Sequence, residues 1–600
     1  MCGYLVQFLF NSGSFDDSEL RSRLDRLTHR GPDQRNIWND HRIWMGHQRL
    51  ILLGGEESGQ QPLINELGDA LAYNGEIYNF KELQSKYLTT NYLSDSEVLF
   101  ALLTKIGTPI LRELRGMFSF VYYEARTNKV LLARDPFGIK PLFYRRLADR
   151  WEFCSELSGF DDLTLDPIQV EIFHYHLAAL PGKTIYSDVY ELRPGSYLQT
   201  YEAECEIEHY VTLGSVFNKV NNLPLNTSKN CQQLELEGFD DILQETVRMH
   251  MTADNSPGLI LSGGLDSGCI ALALRNEVPA VYTLSVPDLD EKDAAIALSK
   301  AFNFEHKIFD LDTSFDLQSI LNAMDAPLGD ASFFPTWDLF NQLKIYQKSV
   351  LGGDGGDEIF YGYPTFEVEA LRRRCPRIIN EILHKVGLYF GCYSNMKVDF
   401  REKLLRFGWG WSELPMMRQM QFMAAAPMES LSQNAMQVIK ENFLATIQLE
   451  DIDPNCHWSQ VFAYYFRYYL ATQVLVKSDR ASMSHSVELR CPYLDWSFFS
   501  KVFRFPNVNF PLLSSRKQVL RSYYLEHKKN GNFKKFGFSA PLHKVLPELE
   551  SFVASTRDRK IRSKDDLFDI SSVGIHAKYA ELVFEYFHGS FYRDYCVTTD

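Results

Sequence analysis

The sequence predicts a protein of mixed α/β and α+β class, built from two domains of different construction. Its 600 residues are more than one hydrophobic core usually serves. Short apolar segments separated by turn residues fill the first 205 residues and favour antiparallel strands. From residue 258 onward, strands alternate with helices, which is typical of a parallel sheet. We therefore expect domains at 1–205 and 236–600, joined by a linker at 206–235.

The first domain contains both strand and helix patterns. A strand is expected at 4–10, and a helix with an acidic first turn at 16–27. Further strands, rich in aromatic and β-branched residues, are predicted at 117–123, 130–133 and 141–144. A polar stretch at 219–230 has the composition of a linker.

In the second domain, the strand–helix alternation gives way to helices after about residue 365. Helices are expected from 268 and at 293–302, and strands at 258–261, 281–286, 306–311 and 349–351. The most apolar segment, 461–476, is interrupted by Arg467 and predicts a buried core helix rather than a membrane span.

Composition excludes several classes of function. The net charge of −15 argues against nucleic-acid binding, and the basic runs at 372–374 and 557–564 favour a solvated surface over a polyanion site. Ten scattered cysteines without a CxxC pair form neither a disulfide framework nor a zinc pattern. No signal peptide is apparent and no membrane is implied, so we expect a cytoplasmic protein.

Position 2 is a cysteine, followed by Gly3. Once Met1 is removed, the thiol and the free α-amine of Cys2 belong to the same residue. An α-amine has an ordinary pKa of about 7.7–8.0, so it can act as the general base for its own thiol. Few cysteines are activated nucleophiles, and Cys2 taken alone is better interpreted as incidental.

The segment 261–267, Leu-Ser-Gly-Gly-Leu-Asp-Ser, lies between a predicted strand and a predicted helix. Glycines there let backbone N–H groups approach an anion, and the helix N-terminus adds positive potential. Ser262 and Ser267 can donate hydroxyl hydrogen bonds to a phosphate, and Asp266 can hold Mg²⁺. The segment is not an ordinary P-loop, and a simple tight turn fits it equally well.

A second glycine-rich loop, Gly-Gly-Asp-Gly-Gly-Asp-Glu at 352–358, follows another predicted strand. Loops at the carboxyl ends of parallel strands are where ligands bind in open sheets. Two such loops with carboxylates suit a nucleotide pyrophosphate bridged by Mg²⁺. A helix cap is the alternative, but four glycines would be a costly way to build one.

A series of motifs joins these features into one pattern. In chain order they are Cys2-Gly3, His29–Asp33, Arg49-Leu50, Gln61–Leu63, Asn74–Asn79, Ser94–Glu97, Arg115–Phe118, Arg134–Leu142, Ser262–Ser267, Gly353–Glu358, Asp479-Arg480, Glu488–Asp495 and Lys535–Phe538. From Cys2 to about residue 545, the chain resembles the glutamine-hydrolysing asparagine synthetases. The resemblance implies a class II glutaminase domain with the four-layer αββα fold of N-terminal-nucleophile (Ntn) enzymes. It also implies a parallel α/β ATP-pyrophosphatase domain with added helices.

The resemblance implies roles for several motif residues of the first domain. Cys2 would attack the carboxamide of glutamine and form a thioester, and Asn74 and Gly75 would donate hydrogen bonds to the oxyanion. Arg49 would pair with the glutamine carboxylate. The implied glutamine-binding residues are Arg49, Leu50, Asn74, Gly75, Glu76 and Asp95, of which Glu76 and Asp95 would hold the ammonium group. Arg49 and Asp95 as ordinary surface charges are the less favoured interpretation.

In the second domain, the resemblance implies that ATP activates an acceptor carboxylate as an acyl-adenylate. The implied ATP-binding residues are Leu261, Ser262, Gly263, Gly264, Asp266, Ser267, Val286, Gly352 and Gly353. Asp266 and Asp357 would bind Mg²⁺, and Lys535 would neutralise charge on the phosphates. Asp354 occupies a position linked to formation of the intermediate. Ammonia would pass between the sites through a tunnel, because free ammonia would be protonated in bulk water.

Three departures from the family pattern bear on the acceptor. Tyr4-Leu5-Val6 replaces the usual small residue near the nucleophile, and the tail after about 555 has no counterpart. The loop 352–356 replaces SGEGS and resembles relatives that amidate sugar uronates in surface-polysaccharide pathways. Three hypotheses follow: an asparagine synthetase, an amidotransferase for another carboxylate such as a uronate or a secondary-metabolite acid, and a non-catalytic or cyclising relative. Retention of Cys2, Asn74 and Asp95 disfavours the third. The expected partners are small-molecule substrates, and the sequence allows a homodimer.

Overall fold

The structure is a computed structural model of the chain. It describes residues 2–588 except 202, 221–228, 278, 287–290, 313–315, 375–381, 383–413, 426–427, 504–515, 528–541 and 557–574. Lys535, the basic run 557–564 and most of the polar stretch 219–230 therefore lie outside the described residues.

The N-terminal part consists of two stacked antiparallel sheets. The first sheet has the order β10-β8-β9-β1-β3-β2, and the second has the order β12-β11-β7-β6-β5-β4. The strands are β1 Cys2–Leu9, β2 Gln34–Asn39, β3 Ile43–Arg49, β4 Leu63–Ile64, β5 Ala70–Ile77, β6 Gly116–Glu124, β7 Lys129–Arg134, β8 Phe143–Arg146, β9 Arg150–Cys154, β10 Val189–Glu191, β11 Ser196–Tyr201 and β12 Glu204–His209. The antiparallel strands predicted from the short apolar segments are all present, shifted by one or two residues at their ends.

Side chains of β1 alternate between the two faces of the first sheet, as the period-2 geometry of a strand requires. Tyr4 and Val6 lie in the core between the sheets, with Val121 of the second sheet. Leu5 instead packs with Leu24 of the helix Asp17–Asp25 on the outer face. Because helices cover both outer faces, the predicted four-layer αββα arrangement is confirmed.

The C-terminal part is built on a five-stranded parallel sheet in the order β15-β14-β13-β16-β17. Its strands are β13 Gly258–Ile260, β14 Ala280–Ser285, β15 Glu305–Asp310, β16 Ser349–Leu351 and β17 Glu488–Arg490. The first four agree with the predicted strands to within one residue at each end. The sequence-based prediction missed β17, whose two charged residues are fully buried. The expected parallel α/β domain is confirmed.

Helices surround both sheet systems. The α-helices among the described residues are α1 Asp17–Asp25, α2 Phe80–Tyr87, α3 Asp95–Ile106, α4 Pro167–His176, α5 Gly214–Val220, α6 Lys229–His250, α7 Leu265–Ala273, α8 Glu291–Phe302, α9 Leu317–Asn322, α10 Phe333–Leu343, α11 Gly356–Ile359, α12 Pro364–Arg374, α13 Pro415–Met423, α14 Gln433–Leu449, α15 His457–Tyr464, α16 Leu475–Met483, α17 Trp496–Val502, α18 Gln518–His527, α19 Leu542–Thr556 and α20 Ile575–His588. A π-helical segment, Tyr465–Val474, connects α15 to α16.

The apolar segment 461–476 forms a buried core helix. Arg467 within it is 1% exposed and donates hydrogen bonds from Nε and Nη2 to the carboxylate of Glu450, which explains how a charge is tolerated there. Within the described part of the chain, no helix combines the length and the apolar character needed to cross a membrane.

One apolar core extends across the boundary between the two parts. Phe137 of the N-terminal part packs against Phe466, Trp496 and Phe499, with ring centroids 5.9, 5.6 and 5.3 Å away. The division at 205 and 235 remains a prediction: β12 continues the second sheet to His209, and α6 begins at Lys229.

Candidate functional site

Cys2 is the first residue of β1, and it lies opposite Arg49 of β3 in the antiparallel register. Its main-chain nitrogen donates a hydrogen bond to Oδ1 of Asn74, over 3.0 Å. The Nδ2 group of the same amide is buried and has no hydrogen-bond partner among the described residues. Asn74 therefore presents an unused donor beside the cysteine.

Gly75 follows Asn74 at a point where β5 lies very close to β6. A Cβ atom added at Gly75 would lie 2.1 Å from the carbonyl oxygen of Met117. Glycine is therefore required by the close approach of the two strands, and it keeps the backbone beside Cys2 in this position.

Arg49 is held in a buried position by the neighbouring loop. It donates hydrogen bonds from Nη1 to Oε1 of Gln34, over 2.8 Å, and from Nη2 to the carbonyl of Ser58, over 2.6 Å. A guanidinium carries five N–H groups, so donors remain for a carboxylate. Leu50, the next residue, is buried in the apolar core that joins the two parts.

Glu76 and Asp95 form a buried acidic pair next to β17. The Oδ2 atom of Asp95 accepts hydrogen bonds from the Tyr73 hydroxyl and the Ile77 amide, over 2.7 and 2.9 Å. Burial raises the pKa of Asp95, and burial followed by the charge of Asp95 raises the pKa of Glu76 well above its ordinary value. A ligand ammonium group would stabilise the ionised forms of both carboxyls.

Arg30 is a contact of Cys2 for which the sequence predicted no role. Its Nε donates to the carbonyl of Cys2 over 3.1 Å, and its Nη1 and Nη2 donate to the carboxylate of Asp479 over 2.8 and 3.0 Å. Burial alone would lower the pKa of Arg30, but Asp479 and Glu156 more than offset that effect and raise it. Arg30 lies in the motif at 29–33, yet its partner is 449 residues away.

A second site is formed by the glycine loops after β13 and β16. In the first loop, Gly263 has a φ of +78°, and Gly264 caps α7. The amide of Gly264 donates to the Ser262 hydroxyl over 3.2 Å, and the hydroxyls of Ser262 and Ser267 are 3.1 Å apart. Helix α7 begins at Leu265 rather than at the predicted 268, because the helix starts directly after the Gly264 cap. Asp266 consequently lies in its first turn.

The two loops are in direct contact, because β13 and β16 are neighbouring parallel strands. A Cβ atom added at Gly353 would lie 3.0 Å from Cβ of Asp266. A Cβ atom added at Gly356 would lie 2.5 Å from Oδ1 of the same residue. Glycine at both positions is what lets the second loop approach Asp266 so closely.

Lys517 bridges the two carboxylates that were predicted to bind Mg²⁺. Its Nζ lies 2.6 Å from Oδ1 of Asp266 and 2.5 Å from Oδ1 of Asp357. Burial would lower the pKa of Lys517, but the two carboxylates raise it above its ordinary value. No motif or spacing marked this residue, because a single lysine preceding a helix carries no pattern.

Asp266 and Asp357 would suit a magnesium ion whose other ligands came from a phosphate and from water. No group of three or more metal-ligating side chains occurs within the described ranges. Mg²⁺ commonly takes one or two carboxylates from the protein and further ligands from phosphates and water. Two carboxylates that share one ammonium group, with side chains 18% and 28% exposed, offer such a donor set.

The remaining predicted residues that the structure describes lie around the same edge of the sheet. The amide of Gly352 donates to the carbonyl of Arg490 at the end of β17, over 2.8 Å. Oδ2 of Asp354 accepts a hydrogen bond from the Ser478 hydroxyl over 2.6 Å. Leu261 and Val286 directly follow the neighbouring strands β13 and β14. Lys535 lies outside the described residues.

Comparisons with known proteins match both halves of the chain. A family model described as a glutamine amidotransferase domain matches residues 1–211, and one described as asparagine synthase matches residues 238–582, more than half of the chain. Asparagine synthetase [glutamine-hydrolyzing] 1 of Bacillus subtilis (strain 168) is 27% identical over 594 residues, which cover 92% of this chain and 89% of that protein. Amidase chry2 of Gibberella zeae is 27% identical over 387 residues, which cover 59% of this chain and 56% of that protein. Among solved structures, the allosteric regulatory enzyme of purine biosynthesis covers 51% of this chain and 65% of its own, with 19% identity and a TM-score of 0.27.

Proposed function

Because this chain belongs to the asparagine synthase family, we propose that it transfers ammonia from glutamine to an ATP-activated carboxylate, with aspartate as the acceptor and asparagine, AMP and pyrophosphate as products. The observation that carries the proposal is the contact between the main-chain nitrogen of Cys2 and Asn74, whose amide also retains a buried, unused donor. In this arrangement the thiol of Cys2 would be the nucleophile, its amine the base and Nδ2 of Asn74 the oxyanion donor.

The glutaminase step follows from that contact. After removal of Met1, the α-amine of Cys2 takes the thiol proton, and the thiolate attacks the carboxamide carbon of glutamine. Nδ2 of Asn74 and the backbone amide of Gly75 stabilise the oxyanion. The tetrahedral intermediate collapses to a thioester as the amine returns the proton and ammonia leaves. Water then attacks the thioester, which releases glutamate and restores the thiol.

Three charged side chains would hold the glutamine substrate at this step. Arg49 retains N–H groups for the α-carboxylate, and a guanidinium binds a carboxylate in bidentate geometry. The buried pair Glu76 and Asp95 would receive the ammonium group. This pairing is supported by the raised pKa of both carboxyls, since a cationic ligand offsets the cost of ionising them together.

The synthetase step would take place at the two glycine loops. An oxygen of the acceptor carboxylate attacks the α-phosphorus of ATP, and pyrophosphate leaves, which produces the acyl-adenylate. Ammonia then attacks the acyl carbon, and AMP leaves as the amide forms. Lys517, with Ser262 and the backbone of the first loop, would stabilise the phosphate charge, and we assign Lys535 the same role. Asp266 and Asp357 would hold Mg²⁺, which supplies charge neutralisation at the departing pyrophosphate.

The six cysteines described as free thiols are consistent with a reducing, cytoplasmic setting for this chemistry. We also propose that the enzyme works on small molecules only, without nucleic acid, and as a homodimer.

Aspartate-dependent pyrophosphate release in the presence of ATP and Mg²⁺ tests the proposal. Wild-type enzyme should release pyrophosphate with aspartate and either glutamine or ammonia. Cys2→Ala should lose glutamine-dependent synthesis and retain ammonia-dependent synthesis. Loss of both in a folded Cys2→Ala protein would contradict the division of labour between the two sites.

A second acceptor class remains a candidate because of the loop at 352–356 and because one relative is named an amidase rather than an asparagine synthetase. The same assay, run with a set of carboxylic acids that includes sugar uronates, distinguishes the two. Stimulation by a uronate but not by aspartate would establish this second function.

A further inference from the structure

A second pair of charged residues lies beside the loop that contains Asp354. Lys477 is in α16, and its Nζ lies 3.2 Å from the Ser332 hydroxyl and 3.6 Å from Oδ2 of Asp330. The Ser332 hydroxyl donates in turn to Oδ1 of Asp330 over 2.7 Å. The three side chains therefore form one polar cluster with a cation and an anion next to each other.

The cluster faces the glycine loop 352–358. Ser478, the residue after Lys477, donates its hydrogen bond to Asp354. Burial would lower the pKa of Lys477, but the charges of Asp330 and Asp354 outweigh it and raise the pKa. Lys477 consequently carries its positive charge within electrostatic reach of both carboxylates. This position places the cluster next to the site where the acceptor would be activated.

The Lys477–Asp330 pair differs from the structural ion pairs of the same domain. The side chains of Arg467 and Glu450 are 2% and 3% exposed, and two hydrogen bonds join them directly. Lys477 and Asp330 are 15% and 24% exposed, and 3.6 Å separates their charged atoms. An ammonium group has three N–H donors, and the Ser332 hydroxyl and Asp330 take two of them, so one remains for a ligand. The looser and more open pair is suited to a ligand rather than to sealing a core.

We propose that Lys477 binds the α-carboxylate of the acceptor amino acid and that Asp330 binds its α-ammonium group. This inference rests on the proposed function and assigns the residues that select the acceptor. The two ligand charges are attached to one carbon atom, so adjacent protein charges of opposite sign complement them. The side-chain carboxylate of aspartate then extends toward Asp354 and the phosphate loops. A uronate carries no ammonium group that Asp330 could bind.

Three acids allow the contact made by Lys477 and the contact made by Asp330 to be tested separately. Aspartate has both groups, succinate lacks the ammonium group, and β-alanine lacks the α-carboxylate but keeps the amine and the reacting carboxylate. If each protein charge contacts one ligand group, each substitution affects only the acids that carry that group. A general disturbance of the site would instead affect all three acids alike.

The experiment measures acceptor-dependent pyrophosphate release with ammonia as the nitrogen donor. It gives kcat/KM for each acid. Where turnover of an acid is too slow, its inhibition constant against aspartate is measured instead. Lys477→Gln should reduce kcat/KM for aspartate and succinate by about 10- to 100-fold. Its kcat/KM for β-alanine should stay within about 3-fold of the wild-type value. Asp330→Asn should reduce kcat/KM for aspartate and β-alanine by a similar factor and leave kcat/KM for succinate unchanged. Lys300→Gln, on the exposed face of α8, is the matched control and should change none of the three.

Equal losses for all three acids, or no loss for aspartate, would overturn the assignment. Both variants should retain the wild-type KM for ATP, which separates acceptor binding from a role at the phosphates. If wild-type enzyme releases no pyrophosphate with aspartate, the proposed function itself fails. If wild type uses aspartate and the variants show no selective loss, only the acceptor contacts are wrong.

Discussion

Arg30 and Asp479 form a two-hydrogen-bond ion pair between the two catalytic halves of the enzyme, with Nη1 and Nη2 of the arginine 2.8 and 3.0 Å from the carboxylate oxygens. The same guanidinium donates to the carbonyl of Cys2, and Asp479 follows Ser478, which binds Asp354. A continuous set of contacts therefore runs from Cys2 to the glycine loop at 352–358.

This link predicts that Asp479→Asn uncouples the two reactions. The substitution removes one of the two carboxylates that pair with the buried Arg30, the other being Glu156, and loosens the position of Cys2. Removing one partner of a buried pair typically costs about 3–5 kcal/mol, and the remaining contact with Glu156 reduces that cost. We expect more than one glutamate to be formed for each amide product, and a lower melting temperature. Glu245→Gln is the control, because it removes the ion pairs that the exposed Glu245 side chain makes with Arg115 and Lys501, and surface pairs of this kind contribute about 0–1 kcal/mol each. Glutamine- and ammonia-dependent rates that fall by the same factor would contradict the coupling.

Asn74→Asp separates the two functions of the Asn74 amide. The new side chain at position 74 keeps an oxygen that accepts a hydrogen bond from the nitrogen of Cys2, but it lacks the Nδ2 donor. We expect kcat for glutamine hydrolysis to fall by about 10²–10³, while ammonia-dependent synthesis stays near the wild-type rate. Steady-state glutaminase and synthetase assays on the same preparation measure both. An unchanged glutaminase kcat would remove Asn74 from the oxyanion site.

Gly356→Ala should damage the synthetase site and spare the glutaminase. The added methyl group would lie 2.5 Å from Oδ1 of Asp266, so this carboxylate must move. Pyrophosphate release is expected to fall at least about 10-fold, since misplaced phosphate ligands cost orders of magnitude in rate. In the control Gly13→Ala, the new methyl group lies 3.1 Å from the flexible end of Leu9, and both activities should persist. Normal pyrophosphate release by Gly356→Ala would show that the contact between the loops is unnecessary.

Glu152 gives the N-terminal domain a predictable response to acid. Burial raises the pKa of its carboxyl, but hydrogen bonds and charge from Arg23 and Arg145 more than offset this and lower the pKa to about 2, from an ordinary 4.5. The stabilisation is therefore complete above pH 4.5 and is lost as the pH falls from 4.5 toward 2. It amounts to on the order of 3 kcal/mol.

Glu152→Gln should consequently lower the melting temperature at pH 7, and the difference from wild type should shrink steadily below pH 4.5. Thermal unfolding followed by circular dichroism between pH 7 and pH 3 measures it. The exposed Glu206→Gln serves as the control and should show no such dependence. A difference that stays constant with pH would mean that the Glu152 charge contributes nothing.

Hydrophobic periodicity in the sequence predicted the strands and helices that have a regular apolar pattern. It failed to predict an element whose charged residues are buried as a pair. The strands around Cys2 and both glycine loops follow from apolar segments and turn residues. Strand β17 does not, because Glu488 and Arg490 are as polar as a loop. They are buried by pairing with each other and by hydrogen bonds from Arg490 to the carbonyls of His250 and Thr252. Such a pair has no signature in hydrophobic periodicity.

Site residues within motifs were predictable by type, whereas contacts over long sequence distances were not. Arg30 and Asp479 both occur in recognised motifs, but nothing local indicates that they meet. Lys517 lies between two predicted metal ligands that precede it by 251 and 160 positions in the chain. Only the fold brings its ammonium group to both carboxylates, so only the three-dimensional arrangement identifies it.

The apolar core around Phe137 has a consequence for how the protein is made. Residues 1–211 leave the ribosome before Phe466, Trp496 and Phe499 have been translated, so the surface that covers Phe137 does not yet exist. During that interval the nascent N-terminal part exposes an apolar surface around Phe137 that is prone to non-specific association. Splitting the gene at this boundary would make that temporary exposure permanent, and chaperone demand should be highest while the second half is still being synthesised.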